Sequence, residues 1–152
     1  MKKYLGAVFF ITVFFLEIGP SGRFAGSFLI SALPAVTFFL LSRSIPAGAS
    51  ASLLYAFFLD VANLTRVPVN TFFTIIVLII YLLLKKRGMD FRFNKNNLVL
   101  AICFAILRLC GILLFYKTSV SVSFLALAIV LNVAVTITFF YLSIFLYRKI
   151  DG

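Results

Sequence analysis

The sequence predicts an all-α integral membrane protein with six transmembrane helices in a single domain. Three observations carry this. Hydrophobic residues make up 64% of the 152 residues, and the mean hydropathy is +1.19. A soluble domain of this size does not hold that much apolar surface. Only 12% of residues are charged, and they cluster between long runs of Phe, Leu and Ile. The alternating ten-residue pattern of a membrane β-barrel is absent from the sequence. The expected spans are residues 4–18, 24–42, 47–64, 68–84, 98–116 and 120–147.

The first apolar run, 4–16, follows a basic start at Lys2 and Lys3. Its thirteen residues make about 20 Å of helix, short against a hydrocarbon layer of roughly 30 Å. A signal peptide is the rival reading, but no small-x-small cleavage site follows directly. The expectation is a retained short or shallow helix that ends near Glu17 and Gly19-Pro20. The second run holds Pro34 at its middle, where a proline is expected to kink the helix. Arg43 closes that run, and Ile45-Pro46-Ala47-Gly48 turns into the third.

Thr65-Arg66-Val67-Pro68 is the next turn, with Asn70, Thr71 and Thr74 opening the fourth helix. Residues 85–97, KKRGMDFRFNKNN, form the substantial polar loop. The fifth run carries Arg108 far from either end. The sixth is long enough to tilt, and Asn132 lies near its middle with Ala128 and Thr136 four residues to either side.

The loops set the expected orientation. With the N-terminus inside, the inner segments hold ten basic residues: Lys2, Lys3, Arg43, Lys85, Lys86, Arg87, Arg92, Lys95, Arg148 and Lys149. The outer segments hold three, Arg23, Arg66 and Lys117. This positive-inside bias places both termini in the cytoplasm. It also accounts for the net charge of +10 through anionic lipid rather than nucleic acid. Tyr4, Tyr116 and Tyr147 fall near helix ends, where amphipathic rings favour the interface.

Composition excludes several chemistries. The chain has no His, which removes the commonest general base and metal ligand. Ser50 and Ser52 therefore have no imidazole base, and no phosphate-binding Gly loop, metal cluster or catalytic carboxylate pair is present in the sequence. No cofactor is expected. Cys103 and Cys110 lie seven apart on one predicted helix, roughly 10 Å, too far for a disulfide. They read as small apolar packing residues.

Residues 43–70, RSIPAGASASLLYAFFLDVANLTRVPVN, organise the chain. Gly48, Ser52, Ala56 and Asp60 are spaced four apart and form one ridge of a helix. Small residues on a ridge admit a neighbouring helix, so Asp60 is expected to point at that neighbour rather than at lipid. Glu17 apart, at the end of the first span, Asp60 and Arg108 are the charged residues inside the predicted spans. Ala101 and Ala105 put Arg108 on a small-residue face too. The two charges read either as a substrate or proton site, or as a pair that locks helix three to helix five or meets a partner. Asn132 reads as a cavity residue or a bond to a neighbouring helix. Asn70, beside Pro68, reads as a cap or turn residue.

The central stretch resembles the rod shape-determining protein MreD family, small six-helix proteins of the bacterial inner membrane. The resemblance spans residues from about 24 to 87. It rests on Pro34 in a helix that leads to the basic Arg43, a small-residue third helix with Gly48 that ends in Asp60, a short loop, and Asn70 early in the fourth helix. Ala and Ser replace the usual Gly in the third helix, and Pro68 stands where Gly is expected. Helices one, five and six match in hydropathy alone. The resemblance implies a non-enzymatic scaffold of the cell-wall elongation machinery. Its partner would be an MreC-like bitopic protein and, through it, MreB, RodA and a class B penicillin-binding protein. It also implies a fold shared with the substrate-binding subunits of energy-coupling-factor vitamin transporters, which makes such a subunit the alternative. Those subunits usually carry Ala-x-x-x-Ala in helix one, whereas here Ala7 is followed four later by Ile11.

Overall fold

The computed structural model describes residues 11–13, 15, 30–62, 67–89, 95–116 and 121–151. The remainder of the first expected span, residues 24–29 of the second, the turn residues Arg66 and Lys117, and 90–94 of the polar loop lie outside the described residues. Every regular element described is helical. Residues 11–13 and 15 belong to α1. The others are α2 (Leu33–Arg43), α3 (Ile45–Ala62), α4 (Val69–Lys86), α5 (Lys95–Tyr116) and α6 (Val122–Asp151). Among the described residues, four stretches are long and apolar enough to cross a membrane: Ile45–Ala62, Val69–Lys86, Asn96–Phe115 and Val122–Leu146. The chain is an α-helical, multi-pass membrane protein.

The helices are built inside-out relative to a soluble bundle. On α3 the buried face is Gly48, Ser52, Tyr55, Ala56, Leu59 and Asp60, while Leu54, Phe57, Phe58 and Val61 face outward. On α6 Ala128, Asn132, Thr136, Phe140 and Ser143 are buried, while Val122, Leu127, Val130 and Phe145 are exposed. Lipid tails are as apolar as Leu, so size rather than polarity decides which face packs.

α2 sits at the centre, packed against α3, α5 and α6, and α4 closes the ring between α3 and α5. Eight of the eleven residues of α2 are buried. At eleven residues it is about 16 Å long, too short to cross a bilayer alone.

Pro34 does not kink this helix. Residues 30–32 are not helical, and α2 begins at Leu33 with Pro34 in its first turn. There the missing N–H is one that no carbonyl of the helix would accept, so proline costs nothing. Ser31 Oγ accepts the Leu33 N–H at 3.1 Å.

α3 starts at Ile45, two residues before the expected boundary, and a single extended residue, Ser44, separates it from α2. Gly48 makes this tight corner feasible. A Cβ there would lie 2.5 Å from the Leu40 carbonyl oxygen and 2.8 Å from the Leu41 nitrogen. Both are backbone atoms and cannot turn aside, so only glycine fits.

α4 ends in a Schellman motif. The Gly88 N–H reaches Lys85 O at 3.0 Å, the Met89 N–H reaches Leu84 O at 3.4 Å, and Gly88 has φ +85°. The expected polar loop is therefore shorter than its composition implies, because Lys85 and Lys86 finish α4 and residues 95–97 begin α5. α6 runs on through Arg148, past the expected end of the sixth span at residue 147.

Candidate functional site

The site lies where α3 ends and α4 begins. An α-helix starts with backbone N–H groups that have no carbonyl in the same helix to meet. A side-chain oxygen at the N-cap usually accepts one of them. The N-cap of α4 is Pro68, which makes no side-chain cap bond. Asp60, ten residues back on α3, supplies the acceptor. Its Oδ1 accepts the Asn70 N–H at 3.0 Å, and its Oδ2 accepts the Thr71 N–H at 2.8 Å.

The accounting closes for this turn. The Val69 N–H goes to Val67 O at 2.8 Å, and the Phe72 N–H goes to Pro68 O at 2.9 Å. The side chains add two more bonds to the carboxylate. Asn70 Nδ2 donates to Oδ1 at 2.8 Å, and Thr71 Oγ1 donates to Oδ2 at 2.8 Å. Four donors thus converge on two carboxylate oxygens. The positive end of the α4 dipole lies beside them, which favours an anion.

Asn70 also faces the other way. Its Oδ1 accepts from Arg108 Nε on α5. Its carbonyl takes the Thr74 hydroxyl at 2.7 Å. Arg108 is 1% exposed, the largest fully buried side chain among the described residues. Asp60 and Asn70 are buried as well. The sequence reads Asp60 and Arg108 as a pair that locks helix three to helix five, and the structure brings both charges onto Asn70. The extensive contacts run α3 to α4 and α4 to α5. Asn70, in the first turn of the helix between them, bonds both charges.

The ridge ahead of Asp60 behaves as its spacing implies, with Gly48, Ser52 and Ala56 all buried. Arg43 is exposed at the end of α2, where a cation suits the negative end of the helix dipole. Pro68 is exposed. Asn132 bonds within its own helix, Nδ2 to Ala128 O at 2.9 Å. Its Oδ1 and the Thr136 hydroxyl are buried without a hydrogen-bond partner.

Sequence reasoning missed Thr71 and Gly111. Thr71 had a legible signal, since a helix that starts after a proline needs an outside acceptor for its first amides. Gly111 had none. It is buried under the ring of Phe73, whose edge would clash with any Cβ there, and this is where α4 and α5 come together. Among the described residues no three of His, Cys, Asp and Glu gather into a metal-binding group. The carboxylate is already held by four donors, so the arrangement joins helices rather than presenting a base. Comparison with family models, with curated proteins and with solved structures returned no match.

Proposed function

We propose that this chain is a non-enzymatic scaffold of the bacterial cell-wall elongation machinery. It would act in the inner membrane with both termini cytoplasmic, through an MreC-like bitopic protein. One observation supports this reading most. Four polar residues at the helix junction are engaged with one another, Asp60 with Asn70 and Thr71, and Asn70 with Arg108. A catalytic or transport site keeps its polar groups turned toward a ligand. Here they pin three helices into one rigid unit, which is what a protein that works by holding a surface in shape requires. Of the residues that carry the MreD resemblance, Gly48 makes the α2–α3 corner, and Asp60 and Asn70 make the α3–α4 junction.

The test is purification in mild detergent with identification of what comes along. The expected result is a bitopic wall-elongation protein and no bound vitamin, and depletion in a rod-shaped host should give rounded cells. Recovery of a stoichiometric small molecule together with an ATPase module would replace this reading with that of a vitamin-transporter subunit.

A further inference from the structure

α4 and α5 run antiparallel. They meet closely where Phe73 covers Gly111. Nearer the other end of the pair they enclose an apolar groove of about 120 Å³ with α2 at its back. Its walls are Phe38, Val77, Ile80, Tyr81, Cys103 and Leu107, with Leu100 and Phe104 between them. Ile80 and Leu107 are each more than 40% exposed, so the groove opens sideways at the depth of the membrane-spanning helices. The groove is somewhat smaller than the cavity of about 150 Å³ that holds a benzene-sized hydrocarbon, so it seats a few methylenes of a chain whose remainder lies in the bilayer.

The groove has a charged end. Lys85 follows Tyr81 by four residues and Arg87 follows Ile80 by seven, which puts both on the groove's face of α4. Lys85, Lys86 and Arg87 are all exposed. The Schellman turn at Gly88 ends the helix there, which fixes the three cations just beyond the apolar walls.

An apolar slot open to hydrocarbon, with three cations one turn beyond it, has the shape and charge of one molecule class. We propose that this groove is a specific site for an anionic phospholipid. A segment of one acyl chain lies between α4 and α5 against Cys103, and the phosphate meets Lys85 and Arg87, with Lys86 beside them. A zwitterionic lipid with the same chains satisfies the groove but not the cations. Three basic side chains at a membrane surface favour the anionic lipid by about tenfold or more. This does not depend on the scaffold reading.

The test is native mass spectrometry of the full-length protein in mild detergent. The probes are phosphatidylglycerol and phosphatidylcholine of identical chains. The intact protein should retain one phosphatidylglycerol at about tenfold lower lipid concentration than phosphatidylcholine. The triple change Lys85→Gln, Lys86→Gln and Arg87→Gln should bring the two lipids to equal retention. Cys103→Trp fills the groove and should abolish retention of both, whereas Cys103→Ala leaves room and should keep it. Thermal unfolding of each variant identifies any that fails to fold, and Leu107→Phe then serves as the second groove-filling change. Equal retention of the two lipids by the intact protein would overturn the proposal. So would phosphatidylglycerol binding that survives folded groove-filling variants, or a co-purified membrane protein that shields Cys103 from a maleimide in place of lipid.

Discussion

Asp60 shows how one side chain answers two problems. A carboxylate at a membrane-spanning helix end is costly unless it is paired and hydrogen-bonded. A helix that starts at Pro68 leaves amides without an acceptor. Each solves the other, and Asn70 passes the arrangement on to Arg108. Asp60→Asn replaces one oxygen by an amide that faces donors, and it removes the charge. Thermal unfolding in detergent should show a loss of about 3–5 kcal/mol, less where water reaches the junction. Thr71→Ala removes a single side-chain bond, at a cost of about 1 kcal/mol. Asp60→Asn combined with Arg108→Gln should cost less than the sum of the single changes, by about 0.5–3 kcal/mol. Strict additivity would mean that Asn70 does not transmit between them.

Two glycines set how closely the helices approach, and they differ in what opposes them. Gly48 lies against the backbone of α2, whereas Gly111 lies against the ring of Phe73. Overpacking costs about 1–3 kcal/mol, depending on what is able to move. Gly48→Ala should therefore fall at the upper end, measured as the drop in unfolding temperature, with no single partner change that restores it. Gly111→Ala should be rescued by Phe73→Leu, because the obstacle is a side chain. The ridge between Gly48 and Asp60 follows the same logic. Ala56 is fully buried, so Ala56→Leu should destabilise more than Val77→Leu, whose added methylene extends into the groove beside it. Equal effects would show that the Ala56 face is not the packed one.

For the whole molecule, lipid is part of the structure. No more than 39% of any candidate span is buried by the protein itself. Large side chains such as Leu54, Phe57, Ile79, Leu83 and Phe145 point outward, and in water so much exposed apolar surface would drive aggregation. The short, enclosed α2 is covered by protein on most of its surface and the longer helices surround it. Orientation then follows the basic segments. Reporter fusions after Lys95 and at Gly152 should both report the cytoplasm. A periplasmic signal at either position would change the number of crossings or reverse them.

The sequence alone determined the membrane class, the last four helices, the inward face of α3 and the inward aim of Asp60. These follow from composition and from spacing within one helix, because hydrocarbon tolerates neither unpaired backbone nor a bare carboxylate. Pro34 was misplaced, since an unbroken apolar run does not reveal where the backbone turns helical. Tertiary structure decided which groups meet Asp60, that α4 lies between α3 and α5, that Phe73 covers Gly111, and that a groove remains beside Cys103. Those contacts depend on how each helix is rotated about its axis. In lipid no polar-outside rule marks that rotation in the residues, so only packing of small faces against neighbours sets it.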